Sequence, residues 1–367
     1  MDIAMNNDSS ASCTSLQGVR QAMAGAPTSL RDYLRVLAAA DRLVRVGESI
    51  SWRFEIGRTT RENRVPLLFE RIEDYPGRSV FTNGLRNREL IALALGLEQG
   101  ISSLDLINEF RQRSFNRSCP RVVDSGPLRE NILPADRVNL LELPIPHWNE
   151  CDIGRYLGTW HINVTKDPET AIRNVGIYRM QLLGSRHATV STSARSDLAR
   201  HIALAERTSQ PLAMAVAIGV SEATIMAAAA GCPYGVDEYE LAGGLEQAPL
   251  ELIRCQTVDL EVPANSEIVI EGYIEPHIRV QDGPYFDYTG TTSTNPNAFL
   301  FEVTGMMFRN NFIFRGTSIG VAGAEDHQLF AILSELKLLD FHGSTVKRHI
   351  QDQILKQRLL RWIESGR

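Results

Sequence analysis

The sequence predicts a mixed α+β and α/β protein, in which a small α/β domain precedes a β-barrel-like domain with inserted helices and a terminal helix. Up to about residue 125, short apolar runs alternate with amphipathic stretches, as expected for a small α/β unit. After Gly158, strand-like runs predominate. We therefore expect a disordered tail over 1–27, the α/β domain over 28–125, the barrel-like domain over 126–325 and a helical segment over 326–367.

The first ordered element is predicted to be a helix. Ser29 and Asp32 form a capping pair, and leucines follow them at helical spacing. Further along, VPLLF (65–69) and SVFTN (79–83) predict strands, RELIALALGL predicts a helix, and the proline-rich LELPIPHW (141–148) predicts a linker.

The second half contains four strand-like runs, which are HINVT, NVGIYRMQLL, EIVIEGYI and FEVTGMMFRNNFIF. Within the last of them, residues 309–311 (RNN) predict a hairpin turn. Two helical segments interrupt these strands, DLARHIALAER and SEATIMAAAAG, and the second is bounded by a capping Ser221 and a terminal Gly231.

Composition argues against several classes of function. The chain has 367 residues, of which 43% are hydrophobic, and a net charge of -6, so it offers no basic surface for nucleic acid or an anionic membrane. No apolar run approaches the ~18 residues of a membrane span. Five scattered cysteines without CxxC spacing argue against a disulfide framework or zinc site and favour a cytoplasmic protein. The motifs GxGxxG, GxxxxGKS/T and HExxH are absent from the sequence.

Two acids flank a Gly-Pro pair in DGPYFD (282–287). Asp282 and Asp287 could hold an acid and a base together in a tight loop at the mouth of a barrel. The simpler interpretation of this segment alone is that Asp282 starts a turn and Asp287 faces solvent.

Two other segments offer side chains for binding. NVGIYR (174–179) ends in Arg179, which could clamp a carboxylate, although a strand arginine in a surface salt bridge is the simpler interpretation. GVDEYE (235–240) offers Glu238 as an oxygen ligand for a metal, although an acid in a turn is usually solvated.

Taken together and in order, TWHINVTKDPETAIRNVGIYR, AIGVSEATIMAAAAGCPYGVDEYELAGGL, SEIVIEGYIEP and DGPYFDYTG resemble the signature segments of UbiD-type decarboxylases. The similarity runs from about Leu30 to Leu329. It implies that prenylated flavin mononucleotide (prenylated FMN) lies on a split β-barrel of the flavin-reductase type. The cofactor's phosphate would be joined to the protein through Mn²⁺ or Mg²⁺ and through K⁺.

The resemblance also implies roles for single residues. Asn174 and Glu238 match two metal ligands, and the third, usually a histidine, falls near Ser196. Positions that line the cofactor are matched by Thr159, Ile177 and Tyr178. Arg179, Asp282 and Asp287 match the catalytic acid-arginine-acid trio, in which aspartate at 282 replaces the more common glutamate.

The function implied is non-oxidative, reversible decarboxylation of an aromatic or α,β-unsaturated carboxylic acid. In this reaction Asp287 would donate a proton, so we expect burial and neighbouring charge to raise its pKa. The partners implied are a small carboxylic acid, a flavin prenyltransferase that supplies the cofactor and further copies of the chain in a homo-oligomer.

Members of the family usually continue into another α/β domain with a cofactor-facing lysine, and we expect most of that domain to be missing here. A non-catalytic or truncated flavin-binding homologue that acts in assembly is therefore an alternative. A plain flavin oxidoreductase is a third possibility.

Overall fold

A computed structural model describes residues 25–343, with side chains over 25–336. The predicted tail lies outside these residues except at its end, and so does the part of the C-terminal segment after 343. The four predicted segment boundaries stay predictions.

Eight helices of the described chain surround its sheets. They are α1 (Leu30–Ala39), α2 (Glu55–Glu62), α3 (Arg88–Ala94), α4 (Ser103–Phe115), α5 (Asp197–Arg207), α6 (Glu222–Ala229), α7 (Glu238–Glu246) and α8 (Glu325–Gly343). Most begin at a side chain that satisfies the free amides of the first turn. The predicted cap of α1 is confirmed, since Ser29 accepts a hydrogen bond from the Asp32 amide at 3.1 Å. Ser221 caps α6 in the same way.

Sixteen strands lie among the described residues. In the first part of the chain they are β1 (Val44–Ile50), β2 (Leu67–Ile72), β3 (Ser79–Thr82), β4 (Arg121–Val122), β5 (Asn131–Pro134), β6 (Tyr156–Gly158), β7 (His161–Lys166) and β8 (Arg173–Gly176). They continue with β9 (Met180–Gln181), β10 (His187–Val190), β11 (Leu212–Ile218), β12 (Glu251–Arg254), β13 (Glu261–Pro263), β14 (Ile268–Phe286), β15 (Thr292–Phe308) and β16 (Ile313–Arg315).

The largest sheet forms the curled half-barrel. Its strand order is β10-β15-β14-β11-β7-β8, with β5 beside β15, and all of these pairings are antiparallel. The two long strands, β14 and β15, contain several register shifts, which bend a sheet and increase its twist. This curvature brings the end of β14 towards the segment between β8 and β10.

The sheet separates two hydrophobic cores, and strand periodicity explains why. Ala215 and Ala217 of β11 face the core beneath helices α6 and α7, whereas Met214 and Val216 face the core beneath α5. Successive side chains of a strand point to opposite faces. A strand that is buried on both faces therefore reads as a continuous apolar run, as LAMAVAI does.

The smaller N-terminal sheet is completed by a strand from much later in the chain. Its order is β1-β2-β3-β16, and β16 pairs with β3 in parallel. The predicted hairpin at 309–311 is therefore wrong: the chain does turn there, but β15 stays in the half-barrel and β16 joins the other sheet. A turn signal shows where a chain reverses and not which strand the next segment will pair with.

Two expectations from composition can be compared with the described residues. No helix among them is both long and apolar enough to cross a membrane. Their four cysteines, at 119, 151, 232 and 255, form no disulfide.

Candidate active site

The centre of the site is an ion pair between Arg179 and Asp282. Asp282 is fully buried and the Arg179 side chain is 16% exposed, and an amino group of Arg179 contacts the Asp282 carboxylate directly. The other carboxylate oxygen of Asp282 accepts a hydrogen bond from the Thr189 hydroxyl at 2.5 Å. Burial raises the pKa of Asp282, and the charge of Arg179 and the Thr189 hydrogen bond offset only part of that rise.

The simpler interpretations of Arg179 and Asp282 are both wrong. Asp282 does not start a turn, because β14 continues through it to Phe286. Arg179 does not form a surface salt bridge, because it lies over the Tyr285 ring at 4.8 Å from the ring centroid and pairs with a buried acid. The strand continues because Asp282 and Tyr285 both pair with residues of β15.

Asp287 lies at the start of the turn that joins β14 to β15. Its carboxylate accepts hydrogen bonds from the Thr289 amide at 2.9 Å and the Thr289 hydroxyl at 2.5 Å. Burial pushes the pKa of Asp287 upwards, but hydrogen bonds from Thr289 and Ser293 and the charge of Arg179 outweigh it, so the pKa lies below its usual range. The expected rise in the pKa of Asp287 is therefore wrong for the conformation described.

Two residues that sequence patterns did not single out complete this region. Ser293 accepts a hydrogen bond from Arg179 at 2.8 Å and also contacts Asp287, so it links the arginine to the second acid. Asp152 is buried and accepts hydrogen bonds from the Phe286 and Asn149 amides, and burial raises its pKa to about 6. Neither residue belongs to a motif, because each reaches the site only through the folding of the half-barrel.

The two predicted metal ligands are neighbours in the fold. Asn174 lies in β8, and Glu238 at the start of α7 accepts a hydrogen bond from the amide of the next β8 residue, Val175, at 2.9 Å. Both side chains are 5% exposed, so the simpler interpretation of Glu238 as a solvated turn residue is wrong. Burial raises the pKa of Glu238 to about 7. A bound cation would favour the charged carboxylate and reverse that effect.

The third ligand was expected near Ser196, and Ser196 itself caps a helix. Its hydroxyl caps α5 by accepting from the Ala199 amide at 3.0 Å. The next residue, Asp197, is a better candidate, because its charge acts on both Glu238 and Tyr178. His201 reaches this area only through Thr165, 2.9 Å from its Nδ1 atom.

The candidate ligands do not amount to a preformed acidic or histidine cluster. Across the residues described, no three His, Cys, Asp or Glu side chains converge in a way that could hold a metal ion. A metal here would need the Asn174 amide together with Glu238 and ligands from the cofactor, such as its phosphate oxygens. Oxygen ligands of this kind suit Mn²⁺ and Mg²⁺.

The three remaining cofactor-lining candidates are Thr159, Ile177 and Tyr178. The Thr159 hydroxyl accepts a hydrogen bond from the Thr317 amide at 3.1 Å. Ile177 and Tyr178 form the irregular segment between β8 and β9, and the Tyr178 hydroxyl lies 3.4 Å from the side chain of Asn174. These residues connect the metal-ligand candidates to Arg179 without a break in the chain.

Comparison with known families accounts for this arrangement. Residues 34–110 match the 3-octaprenyl-4-hydroxybenzoate carboxy-lyase N-terminal domain, and residues 121–322 match the Rift-related domain of the same carboxy-lyase, UbiD. The chain belongs to the UbiD family. Together the two matches contain all the candidate site residues, from Thr159 to Asp287.

Individual UbiD-class proteins are similar over most of the chain. The phenolic acid decarboxylase of Sedimentibacter hydroxybenzoicus is 31% identical over 332 residues, which cover 86% of this chain and 68% of the relative. An evolved dimeric form of HmfF from Pelotomaculum thermopropionicum, solved with prenylated FMN, has a TM-score of 0.79 at 32% identity, covering 86% of this chain and 72% of HmfF. The closed form of vanillic acid decarboxylase from S. hydroxybenzoicus has a TM-score of 0.83 at 30% identity, covering 88% and 71%.

The match covers a smaller share of the relatives than of this chain. The chain spans 66%, 65% and 68% of the lengths of three curated relatives that it matches. The resemblance expected from the sequence and the curled half-barrel fold are confirmed by these comparisons.

Proposed function

We propose that this chain is a non-oxidative, reversible carboxy-lyase that acts on an aromatic or α,β-unsaturated acid with prenylated FMN as its cofactor. The observation that carries the proposal is the set of contacts that Arg179 makes. Its two amino groups are held by Ser293 and Asp282, while its buried Nε has no hydrogen-bond partner among the described residues. A guanidinium that is fixed in this way and still has a free donor is suited to binding a carboxylate.

Each residue of the trio then has a distinct task. Arg179 binds and orients the substrate carboxylate, and Asp282, itself held by Thr189, fixes the direction of the guanidinium. Prenylated FMN supplies the electron sink for the bond that breaks when carbon dioxide leaves. The carbon that loses the carboxylate must then receive a proton, and Asp287, which Ser293 links to Arg179, is the acid that would donate it.

Asp287 must first become protonated to do this. Its hydrogen bonds with Thr289 and Ser293 favour the charged form, so the proton is taken up when those bonds are released and water is excluded. Loss of hydrogen bonds to a carboxylate and loss of solvent both raise its pKa. The turn from Asp287 to Thr291 is therefore expected to rearrange during the reaction.

The cofactor would be held along the face that ends at Arg179. Thr159, Ile177 and Tyr178 would line it, and Asn174 and Glu238 would bind Mn²⁺ or Mg²⁺ beside its phosphate, with K⁺ as a second ion. The raised pKa of Glu238 supports this placement, because a buried acid without a cation is a site that gains from binding one.

An aromatic acid is the better-supported substrate class within this proposal. The similar proteins from S. hydroxybenzoicus are described as a phenolic acid decarboxylase and a vanillic acid decarboxylase. A homo-oligomer, a cytoplasmic location and cofactor supply by a flavin prenyltransferase belong to the same proposal.

The first experiment is co-expression of the chain with a flavin prenyltransferase. The purified protein should contain prenylated FMN, identified by its absorption and mass spectrum, and should release carbon dioxide from one or more acids of an aromatic panel. Protein that takes up no flavin under these conditions would overturn the proposal.

The second experiment tests Arg179 directly. Arg179→Lys keeps the charge but removes the planar fork, so turnover should fall by about 10²-fold or more while flavin content is unchanged. Arg186→Lys is the matched control, because Arg186 is 40% exposed and only 3.8 Å from its partner Glu302. Equal activity in the two variants would remove Arg179 from carboxylate binding.

A further inference from the structure

Helix α8 contacts the turn that carries Asp287. In the first turn of this helix, His327 donates a hydrogen bond from Nε2 to the Tyr288 carbonyl at 2.6 Å. A carbonyl oxygen can only accept, so this ring nitrogen carries the proton. Three residues further along α8, the Phe330 ring meets the Tyr288 ring edge-on, with the ring centroids 5.9 Å apart. Residues three apart lie on one face of a helix, so a single face of α8 makes both contacts.

These two contacts contribute little to the hydrophobic cores. Tyr288 is 56% exposed and Phe330 is 47% exposed, and neither ring belongs to either core. Apolar side chains that stay in contact with water bury little area, and hydrophobic stabilisation grows with the area that is buried. The contacts between Tyr288 and α8 are therefore suited to fixing the place of the turn rather than to holding the fold together.

The start of α8 is itself firmly anchored. Glu325, two residues before His327, is fully buried and pairs with Arg315 at 2.8 Å. It also accepts hydrogen bonds from two backbone amides just after β3. On the other side of His327, Leu329 and Ile332 pack into the core beneath α6 and α7. A helix that is fixed before and after His327 provides a rigid support for the turn.

The segment that precedes α8 also packs against the turn. Gly320 has a φ of +90°, and a Cβ atom there would lie 2.4 Å from the Phe286 ring and 2.8 Å from the Asp287 carbonyl oxygen, so this close approach requires glycine. Within the turn, the Asp287 amide donates to the Thr291 carbonyl and the Gly290 amide donates to the Asp287 carbonyl, both at 3.0 Å. The backbone at Asp287 is therefore supported by its own turn and by the chain that leads into α8.

We infer that His327 and Phe330 are positioning residues for the proton donor. They fix the backbone at Tyr288, so that Asp287 can exchange its hydrogen bonds with Thr289 for the substrate without the turn moving out into solvent. This inference rests on the proposed function for the role of Asp287. A displacement of about 1 Å at a reacting group can cost about 10²-fold in rate. Loss of the support should therefore lower turnover and leave substrate binding unchanged.

The first test is kinetic and uses the flavin-loaded protein with an aromatic acid that it decarboxylates. His327→Leu removes the donor to Tyr288, so kcat should fall by about 10-fold. KM and flavin content should stay unchanged, because the contacts that bind the carboxylate are not altered. His327→Gln keeps an N–H group at a similar reach and should recover most of the loss. His277→Asn, at an exposed position of β14, is the control.

Two results of this test would overturn the inference. One is a turnover in His327→Leu that equals that of His277→Asn. The other is a loss in His327→Leu that His327→Gln does not recover, because the hydrogen bond to Tyr288 would then not be what positions the turn.

The second test measures amide hydrogen exchange in the whole chain without flavin. His327→Leu and Phe330→Ala should each speed exchange of the Gly290 amide by about 10-fold, because the turn opens more often. The midpoint of thermal unfolding should change by less than about 2 °C, since the contacts that are lost are exposed. Phe330→Tyr keeps the ring and should exchange like the wild type. Unchanged exchange in His327→Leu and Phe330→Ala would overturn the inference.

The outcomes separate this inference from the proposed function. A chain whose turn is loosened by His327→Leu and Phe330→Ala, but which takes up no flavin, keeps the support of the turn by α8 and loses the proposed function. A chain that decarboxylates an acid equally well with and without these substitutions keeps the proposed function and loses the positioning role of His327 and Phe330.

Discussion

Two arginines of this protein pair with buried acids but have different environments. Arg315 is fully buried between Glu222 and Glu325, with contacts of 2.7 Å to the first and of 2.8 and 3.0 Å to the second, and it also donates to the Gly316 carbonyl. Arg179 has one acidic partner, Asp282, and its Nε is left without a partner among the described residues.

The acids around Arg315 are also fully used. Glu222 accepts from the Trp160 ring nitrogen at 3.1 Å, and Glu325 accepts from the amides of Asn83 and Leu85. This triad joins β16 of the N-terminal sheet to α6 and α8. Around Arg179, burial raises the pKa of Asp282 and Asp152, as it does that of Glu222, but here the arginine has an Nε without a partner among the described residues. A closed network, in which every charged group has its partners, is suited to holding a fold together. An open network, in which a charged group keeps an unpartnered donor, is suited to receiving a ligand.

The largest expected effect comes from a substitution that breaks the closed network around Arg315. Arg315→Met leaves Glu222 and Glu325 buried without their cation, so the free energy of unfolding should fall by about 3–5 kcal/mol. Denaturant unfolding measures this loss. Arg254→Met is the control, because Arg254 is 67% exposed and 3.9 Å from Glu261, and it should change stability by less than about 1 kcal/mol. A loss of similar size in both variants would contradict the contrast between the two arginines.

The next-largest effect concerns the region around Arg179 and is expected in activity rather than in stability. Asp287→Asn keeps the shape of the side chain but removes its proton, so turnover should fall by about 10²-fold or more. Flavin and metal content should stay unchanged, because Asp287 acts after binding. Glu275→Gln, at a half-buried position of β14, is the control. Near-normal turnover in Asp287→Asn would exclude it as the proton donor.

The pH dependence of stability gives a third contrast. The pKa of Glu238 is about 7 in the folded state, above the value of about 4.3 in an unfolded chain. Between these two pH values the folded protein binds more protons than the unfolded chain does, so the free energy of unfolding decreases as pH rises. Glu238 should account for about 2 kcal/mol of that decrease between pH 5 and 7.

Glu238→Gln should remove that part of the slope, which denaturant unfolding at several pH values can measure without metal. Adding Mn²⁺ should flatten the slope of the wild type and leave that of the variant unchanged, since a cation stabilises only the charged carboxylate. Identical slopes for the two proteins would show that Glu238 is not a buried, titrating ligand.

The smallest expected effect concerns the position next to the α5 cap. Asp197→Asn should weaken Mn²⁺ binding by about 10-fold if Asp197 is the third ligand, as measured from free Mn²⁺ by electron paramagnetic resonance. Asp197→His should restore binding, since histidine is a metal ligand as well. Glu169→Gln, at an exposed site, is the control. If Asp197→Asn binds Mn²⁺ as tightly as Glu169→Gln does, Asp197 is not the third ligand.

The sequence alone was sufficient for the local elements and for the family. The helix at 197–207, the Ser221 cap and the strand at 161–166 follow from capping residues and from apolar spacing, because these properties depend on neighbours a few residues apart. The ordered motifs also identified Arg179, Asp282 and Asp287 as a group, through resemblance rather than through any contact that the sequence could show.

Only the tertiary structure decided which partners these residues have and how their pKa values are shifted. The pairing of β16 with β3 and the place of Ser293 between Arg179 and Asp287 both join residues that are far apart in the chain. Burial and the positions of distant partners set the pKa of Asp287 below its usual range and that of Glu238 above it. Asp287 follows β14, whose register shifts against β15 bend the sheet, and such bending arises from the packing of the whole sheet rather than from any short segment.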